Sequence, residues 1–218
     1  QALQVAEPNT VILLSPGVYS SDTGETFPLL MKPGVTVQGN PRTRGQDIII
    51  RGGGKFQSPT AQSQNIAILG ADRASLTGVT VTNPHRRGYG LWIESSSPLV
   101  VDNTFTENRQ GGIAVKGDSA PVIRSNYFYD NGGNGITVEG ALQLEMGQNV
   151  FADNDMGTPL AQRNLPQLIG KNRPSTAEET IVEDNQPSVL SNQGSEVVEQ
   201  DELVDSTPSA SNQEIAEP

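Results

Sequence analysis

A pattern of apolar and polar positions recurs every 23 residues in the middle of the chain. Three segments align without gaps, and they carry asparagine and phenylalanine at the same places. The recurring residues are Asn103, Asn126 and Asn149, then Phe105, Phe128 and Phe151, then Asn108, Asn131 and Asn154. This period is too short for two packed helices, but it fits one coil of three short strands and three turns. It predicts stacked coils of an all-β, single-stranded, right-handed parallel β-helix over about residues 74–155.

Alternation within each coil assigns its side chains to the inside or the outside. The predicted inward residues are Val100, Phe105, Ile113, Val115, Ile123, Phe128, Ile136 and Val138. Asparagine tolerates the left-handed backbone angles of a tight turn, and its amide can bond to the same amide one coil away. The column of Asn103, Asn126 and Asn149 is therefore predicted to be a structural ladder.

Less regular segments extend the pattern toward the start of the chain. Residues 10–14, 35–39, 48–52 and 66–70 are each predicted to contain a short strand, and residues 15–19 a turn. The solenoid then has about five or six coils within residues 1–158. Pro159 stands 23 residues after Ile136 and cannot donate to a central ladder, which predicts an end near residue 158. Residues 159–173 are predicted to cap that end.

The acidity of the chain belongs to one segment. The sequence has 25 acidic and 14 basic residues, a net charge of −11. Residues 174–218 hold 11 of the acidic residues and no basic one, so residues 1–173 carry 14 of each sign. The last segment, with few apolar residues, is predicted to be an acidic disordered tail. A neutral folded part argues against nucleic acid as a partner.

The sequence shows no feature of a membrane-spanning or a disulfide-bonded protein. No apolar run approaches the roughly 18 residues of a membrane span, and no signal peptide is present. The sequence contains no cysteine. Nothing in it indicates a metal or a cofactor, and a monomer is expected.

Two sets of residues carry a family resemblance. The repeated coil, Asn-x-Phe-x-x-Asn followed by Gly-Ile-x-Val-x-Gly, resembles the repeat of pectate-lyase-like β-helices. Residues 12–20 (ILLSPGVYS), 24–29 (GETFPL) and 32–39 (KPGVTVQG) resemble the DUF1565 family, a group of unknown function. The resemblance implies the fold and a secreted, periplasmic or cell-surface location, but no reaction. Family members usually begin with a further segment, so the domain is expected to be truncated at its N-terminus.

The same resemblance implies a working surface. Pectate-lyase-like proteins bind substrates along the outer face of the first sheet, which the Gly-Ile-x-Val strands here resemble. The candidate ligand-binding residues on these strands and the adjacent loops are His85, Arg86, Arg87, Tyr89, Trp92, Arg109 and Lys116. Small neighbours would leave Trp92 exposed as a platform for a sugar ring. The alternative is that its ring packs under a loop or under the C-terminal segment.

Three residues are candidates for catalysis: Glu94, Glu139 and Arg86. The two carboxylates lie two coils apart, roughly 9.6 Å, at the edge of the separation used by inverting glycosidases. Lys116 lies between them and can pair with both, which is the ordinary structural alternative. The motifs of polygalacturonases and calcium-dependent pectate lyases are absent from the sequence.

The sequence therefore favours an exported β-helix protein that binds carbohydrate without catalysis, or that serves as a surface or structural module. The alternative is a polysaccharide lyase or glycoside hydrolase that uses the outer face of the first sheet.

Overall fold

The computed structural model describes residues 2–141, 143–156, 160–161 and 173–174. Within these ranges the chain forms one short helix, α1 (Ala2–Val5), and 3-10 turns at Ser21–Thr23 and Pro41–Thr43. All other regular structure is β. The strands are β1 (Val11–Leu13), β2 (Gly17–Tyr19), β3 (Leu29–Leu30), β4 (Thr36–Gln38), β5 (Ile48–Arg51), β6 (Gly54–Phe56), β7 (Gln64–Leu69), β8 (Ser75–Thr77), β9 (Thr80–Thr82), β10 (Gly88–Glu94), β11 (Leu99–Val101), β12 (Thr104–Thr106), β13 (Gly111–Ser119), β14 (Val122–Arg124), β15 (Tyr127–Tyr129), β16 (Asn134–Ala141), β17 (Glu145–Gly147), β18 (Val150–Ala152), β19 (Leu160–Ala161) and β20 (Arg173–Pro174).

The strands stack into three parallel sheets, which are the faces of a β-solenoid of about six turns. Face A has the order β1-β4-β8-β11-β14-β17, and face B has the order β2-β5-β9-β12-β15-β18-β20. Face C has the order β3-β7-β10-β13-β16-β19. Apart from β6 and β7, which pair with each other, consecutive strands of the chain lie on different faces, as expected when each coil contributes one strand to each sheet. The predicted fold class is confirmed.

The 23-residue repeat fixes the register of neighbouring coils. Phe105 lies beside Phe128, and Phe128 lies beside Phe151. The rings stack with centroids 5.2 and 4.9 Å apart and planes within 9° of parallel. All eight residues predicted to point inward are buried and belong to the central core. The alternation of the sequence therefore predicted the interior correctly.

The predicted asparagine ladder is present at the turn between faces A and B. Asn103 Nδ2 donates to Asn126 Oδ1 at 3.1 Å, and Asn126 Nδ2 donates to Asn149 Oδ1 at 3.1 Å. Each amide also bonds to backbone carbonyls, such as that of Leu76 for Asn103 and that of Val100 for Asn126. A second ladder joins Asn108, Asn131 and Asn154 in the same way. Both columns serve the fold.

The sequence analysis assigned left-handed backbone angles to the ladder asparagines, but in the structure the residue directly before each of them has these angles. Asp102, Ser125 and Gln148 have φ of 54°, 57° and 56°, and each precedes a ladder asparagine. The asparagines themselves have no positive φ. The asparagine side chains satisfy buried backbone groups at the turn. The residue with the strained left-handed backbone is the exposed or half-buried one before each asparagine.

The first coil differs from the prediction in one element. Residues 17–19 form β2 rather than part of a turn, and Gly17, Val18 and Tyr19 pair with Ile48, Ile49 and Ile50 of β5. Only Leu14, Ser15 and Pro16 remain between β1 and β2. The turn is short because the Gly17 N–H donates to the Asp47 carbonyl at 2.7 Å and so enters the sheet at once.

Residues 53–63 leave the solenoid and fold back over face C. We call this segment the strap. Its strand β6 pairs with β7 in the antiparallel sense, with Gly54 opposite Ile66, Lys55 opposite Asn65 and Phe56 opposite Gln64. Every other strand pair among the described residues is parallel. The repeat analysis did not predict the strap.

Strand pairing continues beyond the boundary expected at residue 158. Strand β19 pairs with β16 through Thr137 and Leu160, and β20 pairs with β18 through Val150 and Arg173. Apart from these two strands, the predicted cap at 159–173 and the predicted tail at 174–218 lie outside the described residues. No helix in the described part of the chain is long and apolar enough to cross a membrane.

Candidate functional site

Trp92 points away from the coil interior, as alternation requires, but it is not exposed. The strap covers its ring, which is only 1% accessible. Phe56 of the strap packs at a centroid distance of 6.3 Å, and Tyr89 packs edge-on at 5.3 Å. Of the two arrangements expected for Trp92, the structure therefore shows the one in which its ring packs under a loop, and not the open aromatic platform. The strap supplies the covering residues and makes a second small core outside face C.

Glu94 fixes the strap to face C. Its Oε1 accepts hydrogen bonds from Ser58 Oγ and from the Thr60 N–H, both at 2.9 Å, and a further one from Thr60 Oγ1. Its Oε2 accepts from Trp92 Nε1 at 2.9 Å. Partial burial alone would raise the pKa of Glu94, but the hydrogen bonds from Thr60, Trp92 and Ser58 outweigh it and lower that pKa. The carboxylate is thus held ionised by groups that also hold the strap.

Lys116 and Glu139 form an ion pair on the next two coils of the same column. The register places Glu94 beside Lys116 and Lys116 beside Glu139, as the sequence predicted. The ammonium of Lys116 also lies 5.6 Å from the centre of the Trp92 ring. Both candidate catalytic carboxylates are therefore engaged, Glu94 by the strap and Glu139 by Lys116.

A groove lined by Arg86, Arg87, Arg109 and Gln110 lies at the turn that leads into face C, with a volume of about 550 Å³. A second groove of about 400 Å³ shares Arg86 and Arg87 and adds Lys55, Ser63, Gln64 and Asn65. Because they share two arginines, we treat them as one surface, the cationic groove, whose charged residues are Lys55, Arg86, Arg87 and Arg109.

The four cations of the cationic groove are exposed and have no ion-pair partner among the described residues. Three of them, Arg86, Arg87 and Arg109, were predicted ligand-binding residues, and the structure brings them together. Lys55 was missed because it reaches the groove only through the antiparallel pairing of the strap. The fold thus concentrates positive charge at one place on a domain without net charge.

Asn83 holds the backbone of the cationic groove in place. It is fully buried, and its Nδ2 donates to Asn65 Oδ1 and to the Tyr89 carbonyl, both at 3.0 Å. Its own carbonyl accepts from the Arg109 N–H at 3.0 Å. Asn83 thereby joins β7, the loop at 84–87 and the next coil. The repeat analysis did not identify Asn83, although an asparagine close to one repeat before Asn108 was an available signal.

The insertion at residues 84–87 interrupts the second asparagine ladder. Asn83 precedes Asn108 by 25 residues rather than 23, and its amide turns toward Asn65. As a result, the buried Oδ1 of Asn108 has no hydrogen-bond partner within the described structure. The insertion that carries Arg86 and Arg87 thus removes one hydrogen bond of the ladder.

The remaining predicted ligand-binding residues lie at or beside the cationic groove in different ways. His85 is exposed on the same loop, and its N–H donates to Asn83 Oδ1 at 3.3 Å. Tyr89 is half-buried between Trp92 and the groove. Burial and the charge of Glu139 raise the pKa of Tyr89, against a hydrogen bond with Gln110 that lowers it. Lys116 is nearly buried under its contacts with Trp92 and Glu139.

The described residues contain no group of three or more histidine, aspartate or glutamate side chains that could hold a metal ion.

The family model for proteins of unknown function DUF1565 matches residues 1–206 of the 218-residue chain. The chain belongs to the DUF1565 family. This confirms the resemblance seen in residues 12–39, and the parallel solenoid agrees with the β-helix that it implied. No curated protein and no solved structure matches this DUF1565 member significantly. Its function must therefore be argued from its own residues.

Proposed function

We propose that this DUF1565 protein is a non-catalytic module that binds an acidic polysaccharide in the cationic groove. The observation that carries the proposal is the convergence of Lys55, Arg86, Arg87 and Arg109 on one groove without anionic partners among the described residues. A guanidinium binds a carboxylate or a sulfate through two parallel N–H donors, so three arginines suit a ligand that repeats such groups.

The neutral donors of the groove suit a sugar chain. Gln64, Asn65 and Gln110 line the groove beside the charged residues, and amide side chains can bond to hydroxyl groups. A single-stranded nucleic acid would need exposed aromatic rings for its bases. Here Trp92 is buried and Tyr89 is half-buried. A carboxylated or sulfated polysaccharide therefore fits the groove better.

The lyase or hydrolase alternative has less support. Glu94 and Glu139 are the candidate carboxylates, and each is already occupied by the contacts described above. Arg86, the third candidate, lies in the cationic groove. We further propose that the protein acts outside the cytoplasm, as the family resemblance implies, where such polysaccharides are available.

Binding to immobilised polysaccharides tests the proposal. The set includes polygalacturonate, alginate and dextran sulfate, with uncharged dextran as the neutral control. We expect wild-type protein to bind at least one acidic polymer and the double variant Arg86→Ala/Arg87→Ala to bind it at least tenfold more weakly. Arg124→Ala removes an exposed arginine from face A and is the matched control.

Absence of binding to every acidic polymer would reject the proposal and leave the surface or structural module. Stronger binding to single-stranded DNA than to any polysaccharide would reassign the groove to nucleic acid. Release of unsaturated or reducing products from any polymer would favour the enzyme alternative.

A further inference from the structure

The strap connects the cationic groove with the contacts around Glu94. At one end Lys55 lines the cationic groove together with Arg86 and Arg87. A few residues later, Ser58 and Thr60 bond to Glu94, which lies on the outer surface of β10. Between them, Phe56 packs against the buried ring of Trp92. The position of a groove cation therefore depends on contacts made outside the groove.

Glu94 is the centre of these contacts. One of its oxygens accepts three hydrogen bonds from Ser58 and Thr60, and the other accepts the Trp92 indole N–H. Ser58 Oγ in turn accepts from the N–H groups of Thr60 and Ala61, so the turn of the strap is organised around the same point. The pairing of β6 covers only three residues, and such a short strand is not stable without further contacts.

We propose that Glu94 is a positioning residue of the cationic groove, which anchors the strap and thereby holds Lys55 beside Arg86 and Arg87. This inference rests on the proposed function for its binding readout. Glu94 itself does not touch the ligand. Its role explains why an outward carboxylate on face C is saturated with hydrogen bonds, and why the strap carries both a cation for the groove and hydroxyl groups for the anchor.

The direction in which Glu94→Ala changes the affinity for an acidic polymer distinguishes an anchoring role from a purely electrostatic one. Glu94 is an anion near a site for anions, so removing its charge alone would strengthen the binding of an acidic polymer. Loss of the anchor would weaken binding, because Lys55 would spend less time in the groove. For Glu94→Ala we expect affinity for the best acidic polymer of the array to fall about two- to fivefold, the size of one exposed ion contact.

A double-mutant cycle with Lys55→Ala shows whether Glu94 acts through Lys55. If it does, Glu94→Ala causes no further loss of affinity in the Lys55→Ala background. The pair Ser58→Ala/Thr60→Ala loosens the same anchor without changing any charge and leaves the Trp92–Glu94 bond intact. We expect this pair to lose as much affinity for the acidic polymer as Glu94→Ala does. Agreement between the two variants shows that the loss does not come from misfolding of one of them.

Trp92 reports on the strap without any ligand. It is the only tryptophan, and the strap shields it, so acrylamide should quench its fluorescence weakly in the wild type and in Lys55→Ala. Glu94→Ala and Ser58→Ala/Thr60→Ala should both increase quenching at least twofold. Unchanged quenching in these two variants, tighter polymer binding by Glu94→Ala, or additive effects of Glu94→Ala and Lys55→Ala would each overturn the inference. If the wild type binds no polymer, only the proposed function fails, and quenching together with amide exchange of Lys55 and Phe56 still decides whether Glu94 anchors the strap.

Discussion

The side-chain amide of Asn103 donates to the side-chain oxygen of Asn126, one coil further along the solenoid, at 3.1 Å. The same oxygen accepts the Asn103 backbone N–H at 3.0 Å. Asn126 also donates to the carbonyls of Val100 and Arg124 and is 1% accessible. One buried side chain therefore satisfies backbone groups on two coils, so the ladder links neighbouring turns where their strands end.

Asn126→Ala should destabilise the protein strongly. The substitution leaves the buried Asn103 N–H without its partner and removes a donor from the carbonyls of Val100 and Arg124, at about 1–3 kcal/mol for each group left unsatisfied. We expect the free energy of unfolding to fall by about 3 kcal/mol in urea denaturation. Gln143→Ala, at an exposed position whose backbone N–H keeps its bond to the Ser119 carbonyl, should change it by less than about 0.5 kcal/mol. Equal stability of the two variants would show that the ladder is not needed for the fold.

Phe128→Ala should be the more damaging of two aromatic truncations in the same strand. Phe128 is fully buried between the rings of Phe105 and Phe151. Its removal creates a cavity, and we expect a loss of about 3–5 kcal/mol in the free energy of unfolding. The neighbouring Tyr129 is only half-buried, so Tyr129→Ala is the control and should cost less. A larger loss for Tyr129→Ala would contradict the assignment of inward residues.

The repeat made these ladders and stacks predictable from sequence. Asn103 and Phe105 recur at a constant spacing, and any residue that repeats once per coil must lie beside its copy in the neighbouring coil. Side chains outside the repeat had no such constraint. The strap has no counterpart in other coils, and therefore the burial of Trp92 and the arrival of Lys55 at the groove could not be inferred from spacing.

The cationic groove was only partly predictable from the sequence. Arg86, Arg87 and Arg109 were identified because the loop at 84–87 and the following turn adjoin strands of one sheet. The role of Asn83 was missed, since its importance comes from bonds to Asn65 and Tyr89 that the repeat does not predict. Sequence thus located three of the four charges, whereas Lys55 and the side chains that position the groove required the structure.

The strap should loosen in acid. The folded-state pKa of Glu94 lies below its ordinary value, so its contribution is present above the ordinary pKa and is lost as the pH falls through the folded value. We expect acrylamide quenching of Trp92 to be constant near neutral pH and to rise only below the usual range of a glutamate.

Glu94→Gln is the control for this titration. It removes the ionisable group, and the acid-dependent step in Trp92 quenching should disappear. A step of the same size in Glu94→Gln would assign the transition to another group or to global unfolding, which far-UV circular dichroism at each pH distinguishes.

Affinity for the acidic polymer should fall as salt is added, because all four cations of the groove are exposed and ions screen such contacts. Arg109→Ala should reduce both the affinity at low salt and the steepness of this decline. Arg124→Ala, on face A, should alter neither. An affinity that does not depend on salt would indicate that neutral contacts, rather than the cationic groove, hold the ligand.

Isothermal titration of the wild type and of Arg86→Ala/Arg87→Ala with the best acidic polymer, at low ionic strength, tests the central claim most directly. The cationic groove predicts saturable binding by the wild type, an affinity at least tenfold weaker in the double variant, and no heat from uncharged dextran. Equal affinities of the wild type and the double variant, or no binding by either, would contradict it.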